Sequence, residues 1–479
     1  MTGSGPPPDP HTPHPPPSPD TPSSPYTPIP PNSPPPPYAP TSPRTPSAWD
    51  APCTRPTPHT AHTPPVPSAT GSPAPDTRPD PRPVPLDRLR LPSDPSALYQ
   101  ELRAAHGPVA PVLLDGDIPA WLVLGYRELH QVTADPALFS RDAELWNQWP
   151  RIPDDWPLLP VVGRARPPVP HPAGEGRARR AAMIADALTA VDPARLQGYA
   201  ERFADALVDG FCARGAADVI GEYATLLPVR VLAAVFGFPA EEGPGLAAAV
   251  NGDGGTDGGQ GLARAVARLL ERRRRTPGQD IASRLLASPE GLPDDEIARD
   301  LTSLLTAGHQ PTADWIGNSL RLMLTEDRFA ASLFGGRRSV VEAMNEVLWE
   351  DTPTQNVVGR WASRDTLLGG RRIRAGDLLV LSLAAANSDP GIRADRTVPT
   401  GGNAAFFSFG HGAHRCPFPA REIAEVIART AIEVILDRLP DLDLAVPPQA
   451  LTRRPSPWLR GLSALPVRFT PTTVVGPEY

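Results

Sequence analysis

Proline is concentrated at the N-terminal end of the chain and limits where a folded domain can begin. Of the 68 prolines among 479 residues, 33 lie within the first ninety, between Ser, Thr, Asp and His and with few large apolar residues. Such a segment cannot bury enough apolar surface to offset its conformational entropy. The composition therefore predicts a disordered, partly polyproline-II tail over residues 1–86 and a folded domain over residues 87–479.

The tail has two interpretations. Stretches such as PPNSPPPP, residues 30–37, have the composition that docks in an aromatic groove of a partner protein. A plain spacer explains the same composition, and we expect the spacer.

Charge and cysteine content exclude several classes of protein. The formal net charge of −7 and the pI near 5.8 argue against a nucleic-acid binder. Cys53 lies in the tail and Cys212 in a helical pattern, so no disulfide framework is expected. The sequence has no signal peptide pattern and no apolar run of membrane-spanning length. We therefore expect a cytoplasmic protein without a membrane span. All 46 basic residues are Arg, which is typical of a GC-rich bacterial genome.

Apolar spacing predicts a mainly helical domain with small β elements near each end. Residues 94–107 have an Asp at the start, helical spacing and a terminal Gly, and residues 108–125 predict a hairpin around Asp115-Gly116. The remaining pattern is helix over 175–350, short strands over 356–390, helix again after Cys416, and a strand within 458–469.

Two polar stretches interrupt the helical region. Residues 251–261, NGDGGTDGGQG, resemble a calcium-binding glycine repeat, but the unit occurs once, so we expect a flexible lid or linker between helices. The run Arg272–Arg275 is interpreted as a solvated helix end, with a redox-partner patch as the alternative.

Cys416 lies in the stretch FSFGHGAHRCPFPARE, residues 407–422, where glycines precede it and a long amphipathic run follows. A structural zinc site needs two spaced ligand pairs, and no second pair accompanies His411 and His414. Three alternatives stay open on the residues alone. They are a nucleophilic cysteine, an inert buried cysteine, and a thiolate that binds haem iron at a helix N-terminus.

The segment FGHGAHRC closely resembles the haem-binding loop of cytochrome P-450, which reads Phe-x-x-Gly-x-His/Arg-x-Cys. The resemblance covers roughly residues 86–479 and includes AGHQPT (307–312) and EVLW (346–349). It implies the cytochrome P-450 fold, mainly α with small β-sheets, and a haem b cofactor with Cys416 as the thiolate ligand. It also implies a ferredoxin or similar electron donor and a small organic substrate.

The resemblance implies roles for further residues around the haem. Phe409 packs beside the haem, and Gly412 lets the loop turn near the porphyrin. Three side chains are expected at the haem propionates, namely His414, Arg179 and Arg360. For each arginine an ordinary surface charge is the alternative.

The sequence departs from the family pattern in the oxygen-binding helix. Gln310 takes the position of an acid and Pro311 that of an alcohol, the pair that delivers protons to dioxygen in most members. Proline removes its own helical hydrogen bond to the carbonyl of Ala307 and kinks the helix. We assign proton handling to Gln310, Thr312 and water, with poor proton delivery as the alternative.

A second departure is Trp349, which replaces the Arg of Glu-x-x-Arg. The second arginine of that set aligns with Gly401, so Glu346 needs Asn345, backbone amides or protonation to satisfy it. We expect a repacked core with an aromatic filling. An actinobacterial subgroup that reads Glu-x-x-Trp resembles this chain.

A third departure follows the cysteine. Pro417 and Pro419 carry no N–H, so fewer hydrogen bonds are expected at the sulfur, and the thiolate becomes more electron-donating. The same prolines are expected to pre-set the first helical turn. Trp146, Trp149 and Trp156 belong to the loop that lines the substrate cavity in the family, where they either stack on an aromatic substrate or pack the loop.

The sequence thus favours a haem-dependent monooxygenase that activates dioxygen at a cysteine-ligated iron and oxidises an unidentified small organic substrate. The alternative is a haem-binding regulatory or scaffold protein with little turnover, which acts through partner proteins.

Overall fold

The computed structural model describes residues 82–90, 95–162, 175–251, 256–327, 329, 337–393 and 402–476. The predicted tail lies outside the described residues except for its last part, 82–86. There Val84–Pro85 forms a strand, and Leu86 is buried. The first sheet therefore begins slightly before the domain boundary that composition indicated.

Helices form most of the described chain. In chain order they are α1 (Ser96–His106), α2 (Tyr126–Ala134), α3 (Leu159–Val162), α4 (Glu175–Thr189), α5 (Pro193–Asp209), α6 (Leu226–Phe236), α7 (Gly243–Asn251), α8 (Thr256–Arg275), α9 (Ile281–Leu286), α10 (Asp294–Thr325), α11 (Arg337–Glu350), α12 (Leu383–Asn387) and α13 (Ala420–Arg438). A π-helical turn, Ile220–Ala224, precedes α6.

Strands form three small sheets. They are β1 (Val84–Pro85), β2 (Val109–Leu114), β3 (Ile118–Val123), β4 (Phe139–Ser140), β5 (Ala216–Asp218), β6 (Asn356–Ala362), β7 (Thr366–Leu368), β8 (Arg371–Ile373), β9 (Leu378–Ser382), β10 (Asp443–Leu444) and β11 (Pro466–Arg468). The largest sheet has the order β1-β2-β3-β9-β6-β4, and the others are β10-β11-β5 and β7-β8.

The central element is α10, which runs through Pro311 and packs against α6, α8, α11 and α13. Its first turn carries Asp294, Asp295 and Glu296, whose charges favour a helix N-terminus. Its second half is buried almost all round, which fits a helix in the middle of a core.

Several predicted elements are confirmed. Helix α1 occupies Ser96–His106 and ends at Gly107, which has a positive φ of 78°. The hairpin is the antiparallel β2–β3 pair, and Gly116 and Asp117 in its turn have φ values of 73° and 56°. The closing strand is β11.

One expectation for the helical region is wrong. Residues 256–261 belong to α8, so only part of the glycine-rich stretch separates α7 from α8, and residues 252–255 lie outside the described ones. The expectation that Arg272–Arg275 is a solvated helix end is confirmed, since α8 ends at Arg275 and the Arg274 and Arg275 side chains are 53% and 69% exposed. Each of the four guanidiniums also faces a carboxylate. The pairs are Arg272–Glu242, Arg273–Asp280, Arg274–Asp294 and Arg275–Glu271. Because all four arginines are paired with carboxylates, the structure does not support the alternative of a basic patch for a redox partner.

The three tryptophans pack the loop. Trp146 and Trp156 are buried, and the Trp146 ring lies 5.0 Å from that of Trp149 and 5.6 Å from that of Trp156. The Nε1 atom of Trp156 donates to the Asp115 carbonyl at 2.8 Å, which ties the loop to the β2–β3 turn. These contacts support the interpretation that the three tryptophans pack the loop rather than stack on a substrate.

Asp351, directly after α11, is a buried carboxylate among three guanidiniums. Its oxygens lie 2.5 Å from Arg453 Nη2, 2.6 Å from Arg460 Nε and 3.2 Å from Arg321 Nη2. Burial alone would raise the pKa of Asp351, but the three arginines hold that pKa well below its usual range. The cluster joins α10, α11 and the C-terminal strands.

Asp351→Asn should therefore lower the free energy of unfolding by about 3–5 kcal/mol, because three partly buried cations lose their counter-ion. Since the pKa is depressed in the folded state, the contribution is present above the unfolded pKa of about 4 and is lost as pH falls below it. Urea denaturation at pH 7 and along an acid series measures both effects. Asp365→Asn, at an exposed pair with Arg372, is the control and should change little. Equal losses in the two variants would contradict the expectation.

Candidate functional site

The loop that carries Cys416 lies between α12 and α13 and is fixed by its own backbone. The Cys416 N–H donates to the Phe409 carbonyl at 2.9 Å, and the Gly410 N–H donates to the Phe407 carbonyl at 2.7 Å. Gly410 and Gly412 have φ values of 72° and 70°, which strongly favour glycine. The loop is therefore tightly folded up to the cysteine.

Gly412 has a second constraint, which comes from α2. A Cβ atom at this position would lie 2.2 Å from the carbonyl oxygen of Thr133. The neighbouring His411 Nδ1 lies 3.0 Å from Thr133 Oγ1, and its ring centroid lies 4.4 Å from that of His130. Contact with the end of α2, in addition to the turn itself, therefore requires glycine at 412.

The Cys416 side chain is accessible, yet surrounding protein raises the pKa of its thiol by desolvation. From this accessibility and desolvation together we infer that the Cys416 side chain lies in the wall of a recess. No hydrogen bond to Cys416 Sγ occurs within the part of the chain that the structure describes. A thiol in this setting is protonated unless a cation lies beside it.

Helix α13 begins later than the sequence indicated. It starts at Ala420, so Cys416 precedes its first residue by four positions, and Pro417 and Pro419 lie outside the helix. The Ala420 N–H donates to the Pro417 carbonyl at 2.8 Å, and the Ile423 N–H to the Pro419 carbonyl at 3.0 Å. The expectation that the prolines occupy the first helical turn is wrong. They form an extra turn between the cysteine and the helix.

Helix α10 passes close to this loop. The Trp315 ring packs edge-on against Phe409 with 5.8 Å between centroids. Before that contact, Ser303, Thr306 and Ala307 are exposed although the helix is packed by its neighbours. Their spacing places them on one face of α10. An accessible stripe of small residues on a central helix requires an opening beside it.

Gln310 and Thr312 take different partners on α10. The Gln310 amide nitrogen donates to Asp314 Oδ1 at 3.0 Å, and the Thr312 hydroxyl donates to the Gly308 carbonyl at 2.6 Å. Asp314 is 3% exposed and also accepts from Arg454 Nη2 at 2.5 Å. Burial outweighs Arg454 and raises the pKa of Asp314 to about 6.

Sequence reasoning missed Asp314, although a signal was present. An acid four residues after Gln310 lies on the same face of a helix. Asp314 Oδ2 has no hydrogen-bond partner within the described residues, so this buried carboxyl keeps one unused oxygen.

The partner of Glu346 is also different from the one expected. Arg393 pairs with Glu346 Oε1 and lies 3.3 Å from Glu350 Oε1, and Glu346 is 2% exposed. The loss of both family arginines is thus offset by an arginine from the segment after α12, a partner that the sequence did not indicate.

Trp349 fills the place that the family arginine leaves. It is buried, its Nε1 donates to the Asn403 carbonyl at 2.8 Å, and its ring packs edge-on against Phe406 at 5.9 Å. These contacts confirm the predicted aromatic repacking of this core.

The predicted propionate residues lie in three settings. Arg360 is 4% exposed in β6, and its Nη1 donates to the Gly359 carbonyl at 2.9 Å. His414 ends the 3-10 turn Gly412–His414 and is half-buried. The Arg179 side chain is 62% exposed, with Nη1 3.9 Å from Glu290 Oε2. In this structure Arg179 therefore faces an acid at the surface, and its role at a propionate stays a prediction.

Known proteins resemble the chain over most of its length. No family model matches it. The vitamin D(3) 25-hydroxylase of Pseudonocardia autotrophica is 30% identical over 392 residues, which cover 79% of this chain and 94% of that protein. The P-450 monooxygenase PikC of Streptomyces venezuelae is 29% identical over 395 residues, which cover 79% and 91%. The solved structure of the ligand-free P-450 monooxygenase TamI matches with a TM-score of 0.67 and 28% identity, over 81% of this chain and 94% of that one.

No helix in the described ranges is long and apolar enough to cross a membrane.

The Glu346–Arg393 pair yields a prediction about stability. Arg393→Gln should lower the free energy of unfolding by about 3–5 kcal/mol, because the buried carboxylate of Glu346 loses its contact with the Arg393 guanidinium. The double variant Glu346→Gln with Arg393→Gln is the matched control and should recover most of that loss, since it buries two neutral amides instead of one charge. Urea denaturation of the three proteins measures the effect. A double variant as unstable as the single one would show that the charge pair is not the cause.

Proposed function

This chain belongs to the cytochrome P-450 family, with that family's fold and its type of haem-thiolate monooxygenase activity, and we propose that it oxidises a small organic molecule at a haem b held by Cys416. The observation that carries the proposal is the accessible Cys416 side chain at the wall of a recess, on a loop that its own hydrogen bonds fix beside α10. When bound, the haem iron activates dioxygen and accepts the electrons that the reaction needs.

The residues around the recess fit such a group. Cys416 would supply the thiolate, and a cationic iron bound there would favour the deprotonated sulfur, against the desolvation that raises the pKa of the free thiol. Phe409, packed against Trp315, offers an aromatic face beside the loop. His414 and Arg360 are the proposed donors to the propionates, and Arg179 joins them if its side chain turns away from Glu290.

The surroundings of the sulfur bear on its electron donation. Pro417 and Pro419 have no N–H, and the first helical N–H groups of α13 begin only at Ala420. A thiolate with few hydrogen-bond donors is more electron-rich, and the iron it binds is harder to reduce.

Proton handling passes through α10 in this proposal. Gln310 accepts and donates hydrogen bonds but releases no proton at neutral pH. Asp314, bonded to Gln310 and with a pKa near 6, is the nearest acid that does. Arg454, one-third exposed, links Asp314 toward solvent. We assign Asp314 as the proton donor that replaces the missing acid, with water on the Ala307 carbonyl, to which Pro311 donates no hydrogen bond.

Electrons come from a ferredoxin or a similar donor in this proposal, as is typical of bacterial relatives. The substrate is a small organic molecule that enters the recess beside the exposed stripe of α10. The alternative of a regulatory or scaffold protein has no support from the relatives, whose names are those of hydroxylases and monooxygenases. A protein partner for the proline-rich tail stays a prediction.

Cys416→Ala should abolish the thiolate signature in the reduced carbon-monoxide difference spectrum and lower the haem content to roughly a tenth. The reason is that the variant removes the one protein bond to the iron. Cys212→Ala is the control, since Cys212 is buried among the helices and its sulfur faces the Asp209 carbonyl at 3.9 Å. A thiolate signature that survives in Cys416→Ala would overturn the assignment of the ligand.

Asp314→Asn should reduce the product formed per NADPH consumed by roughly tenfold, the usual scale for loss of a proton donor. The amide keeps the size of the side chain and bonds to Gln310 but cannot release a proton. Infrared difference spectra should show a carboxyl that titrates near pH 6 in the natural protein and is missing in the variant.

Asp295→Asn, at an exposed pair with Arg299 on the same helix, is the control for this variant and should change neither readout. A substrate for the measurement is found first by its effect on the haem spin state. Unchanged coupling in Asp314→Asn, or a titration near pH 6 that persists in it, would refute the role of Asp314.

A further inference from the structure

Two adjoining cavities lie between α5, α6 and the turn before α9, and none of their lining residues belongs to the site around Cys416. Their volumes are about 650 and 410 Å³, within the range of small-molecule sites. They share a wall formed by Arg195, Tyr199, Ala234 and residues 278–280. We call this pair of cavities the Arg–Tyr cavity.

Four arginines line the Arg–Tyr cavity without an acid partner. Within the described residues no carboxylate lies in ion-pair distance of any of them, and they are Arg195, Arg202, Arg230 and Arg284. Two partly buried arginines elsewhere do have acid partners. Arg180 contacts Glu296 and Asp300, and Arg438 contacts Asp205 and Asp209.

The acidic groups nearby are already engaged. Asp280 pairs with Arg273 at 3.0 Å and caps α9 through the Ser283 N–H. Asp192 caps α5 by accepting from the Ala194 N–H at 3.0 Å. In a chain with a net charge of −7, this concentration of unpaired positive charge in a concave site is unusual.

Two aromatic side chains line the cavity beside these arginines. Tyr199 and Phe203 are stacked, with 6.3 Å between centroids and 14° between planes. The guanidinium carbons of Arg195 and Arg202 lie 5.4 and 5.0 Å from the Tyr199 centroid. These contacts gather planar guanidinium groups and two aromatic rings in one cluster, which suits a ligand that carries both an anion and a planar ring.

Arg230 is the most buried of the four arginines. It extends from α6 and is half-buried, and desolvation lowers its pKa from the ordinary value because no counter-ion offsets the burial. An anion bound beside Arg230 would supply that counter-ion. Several positive charges match a phosphate dianion better than a single carboxylate, and arginine binds phosphate in a bidentate manner.

We propose that the Arg–Tyr cavity is a second ligand site, which binds an organic phosphate that carries a planar ring. The ring packs against the cluster of Tyr199 and Phe203, and the phosphate is held by Arg202 and Arg230 together with Arg195 and Arg284.

Isothermal titration of the full-length haem-loaded protein tests the proposal with three probes: adenosine monophosphate, adenosine and inorganic phosphate. Adenosine monophosphate should bind at least roughly tenfold more tightly than either part, and binding should weaken as ionic strength rises. Arg230→Gln should weaken its binding roughly tenfold or more, through loss of a charged hydrogen bond. Tyr199→Leu should weaken binding of adenosine monophosphate and leave that of inorganic phosphate unchanged.

Arg299→Gln, whose exposed arginine pairs with Asp295, is the control and should bind as the natural protein does. If Arg230→Gln does not fold, Arg202→Gln carries the test, because its side chain is exposed. Absence of binding, equal binding in the arginine variants, or equal affinity for phosphate alone would each overturn the proposal. Loss of ferredoxin-supported reduction in Arg202→Gln without any binding of the probes would also overturn it and would assign the surface to an acidic protein. The haem spectrum of Cys416→Ala reports on the proposed function separately, so the two can fail independently.

Discussion

The ion pairs of the buried Asp351 carboxylate are the interaction that fixes the C-terminal segment against α10 and α11. Asp351 stands at the end of α11 and draws in Arg321 from α10 and two arginines from the C-terminal segment. Asn318 extends the same network, since its amide donates to the Asp351 carbonyl at 3.0 Å and to the Arg460 carbonyl at 2.8 Å. Low dielectric makes such a network strong when complete and costly when one member is missing. The position of the C-terminal segment against α10 follows from it.

That position is what brings Arg454 to Asp314. Arg454 follows Arg453, which contacts Asp351, and Gly461 lies so close to Asp314 that a Cβ atom there would be 2.1 Å from Oδ1. The Asp314 carboxyl, to which we assign proton handling, is therefore held between α10 and the C-terminal segment. Arg453 anchors that segment at Asp351. A structural network and a functional group share the same anchoring residues, so substitutions in the network should be judged by stability as well as by turnover.

The fold was largely accessible from the sequence because hydrophobic spacing is local. The hairpin turn, helix α1 and the strand near the C-terminus were each marked by their own residues. The errors concern choices that local pattern does not decide. Nothing in PFPA indicates that α13 starts at Ala420, because the prolines are compatible with a first helical turn as well as with the turn they form.

The candidate site was predictable only in part, for the same reason. Motif spacing identified Cys416, but the partner of Glu346 comes from Arg393, 47 residues later, and only tertiary structure brings the two together. The same holds for Asp314 and Arg454, which are 140 residues apart. Charge complementarity between distant segments leaves no periodic signal, so a missing partner in a motif does not predict an unpaired group.

Two departures from the family pattern, at Trp349 and at Gln310, can be explained by the same physical rule. At Glu346 the guanidinium is supplied from another segment, and the vacated volume is filled by Trp349, whose Nε1 still finds a carbonyl at Asn403. At Gln310, where the family pattern has an acid, a carboxyl lies one helical turn along α10 at Asp314 and accepts a hydrogen bond from the Gln310 amide. In our proposal that carboxyl takes over the role of the family acid, so in both cases another residue supplies the charge. A buried charge constrains the fold through the need for a partner and not through the identity of the position that provides it.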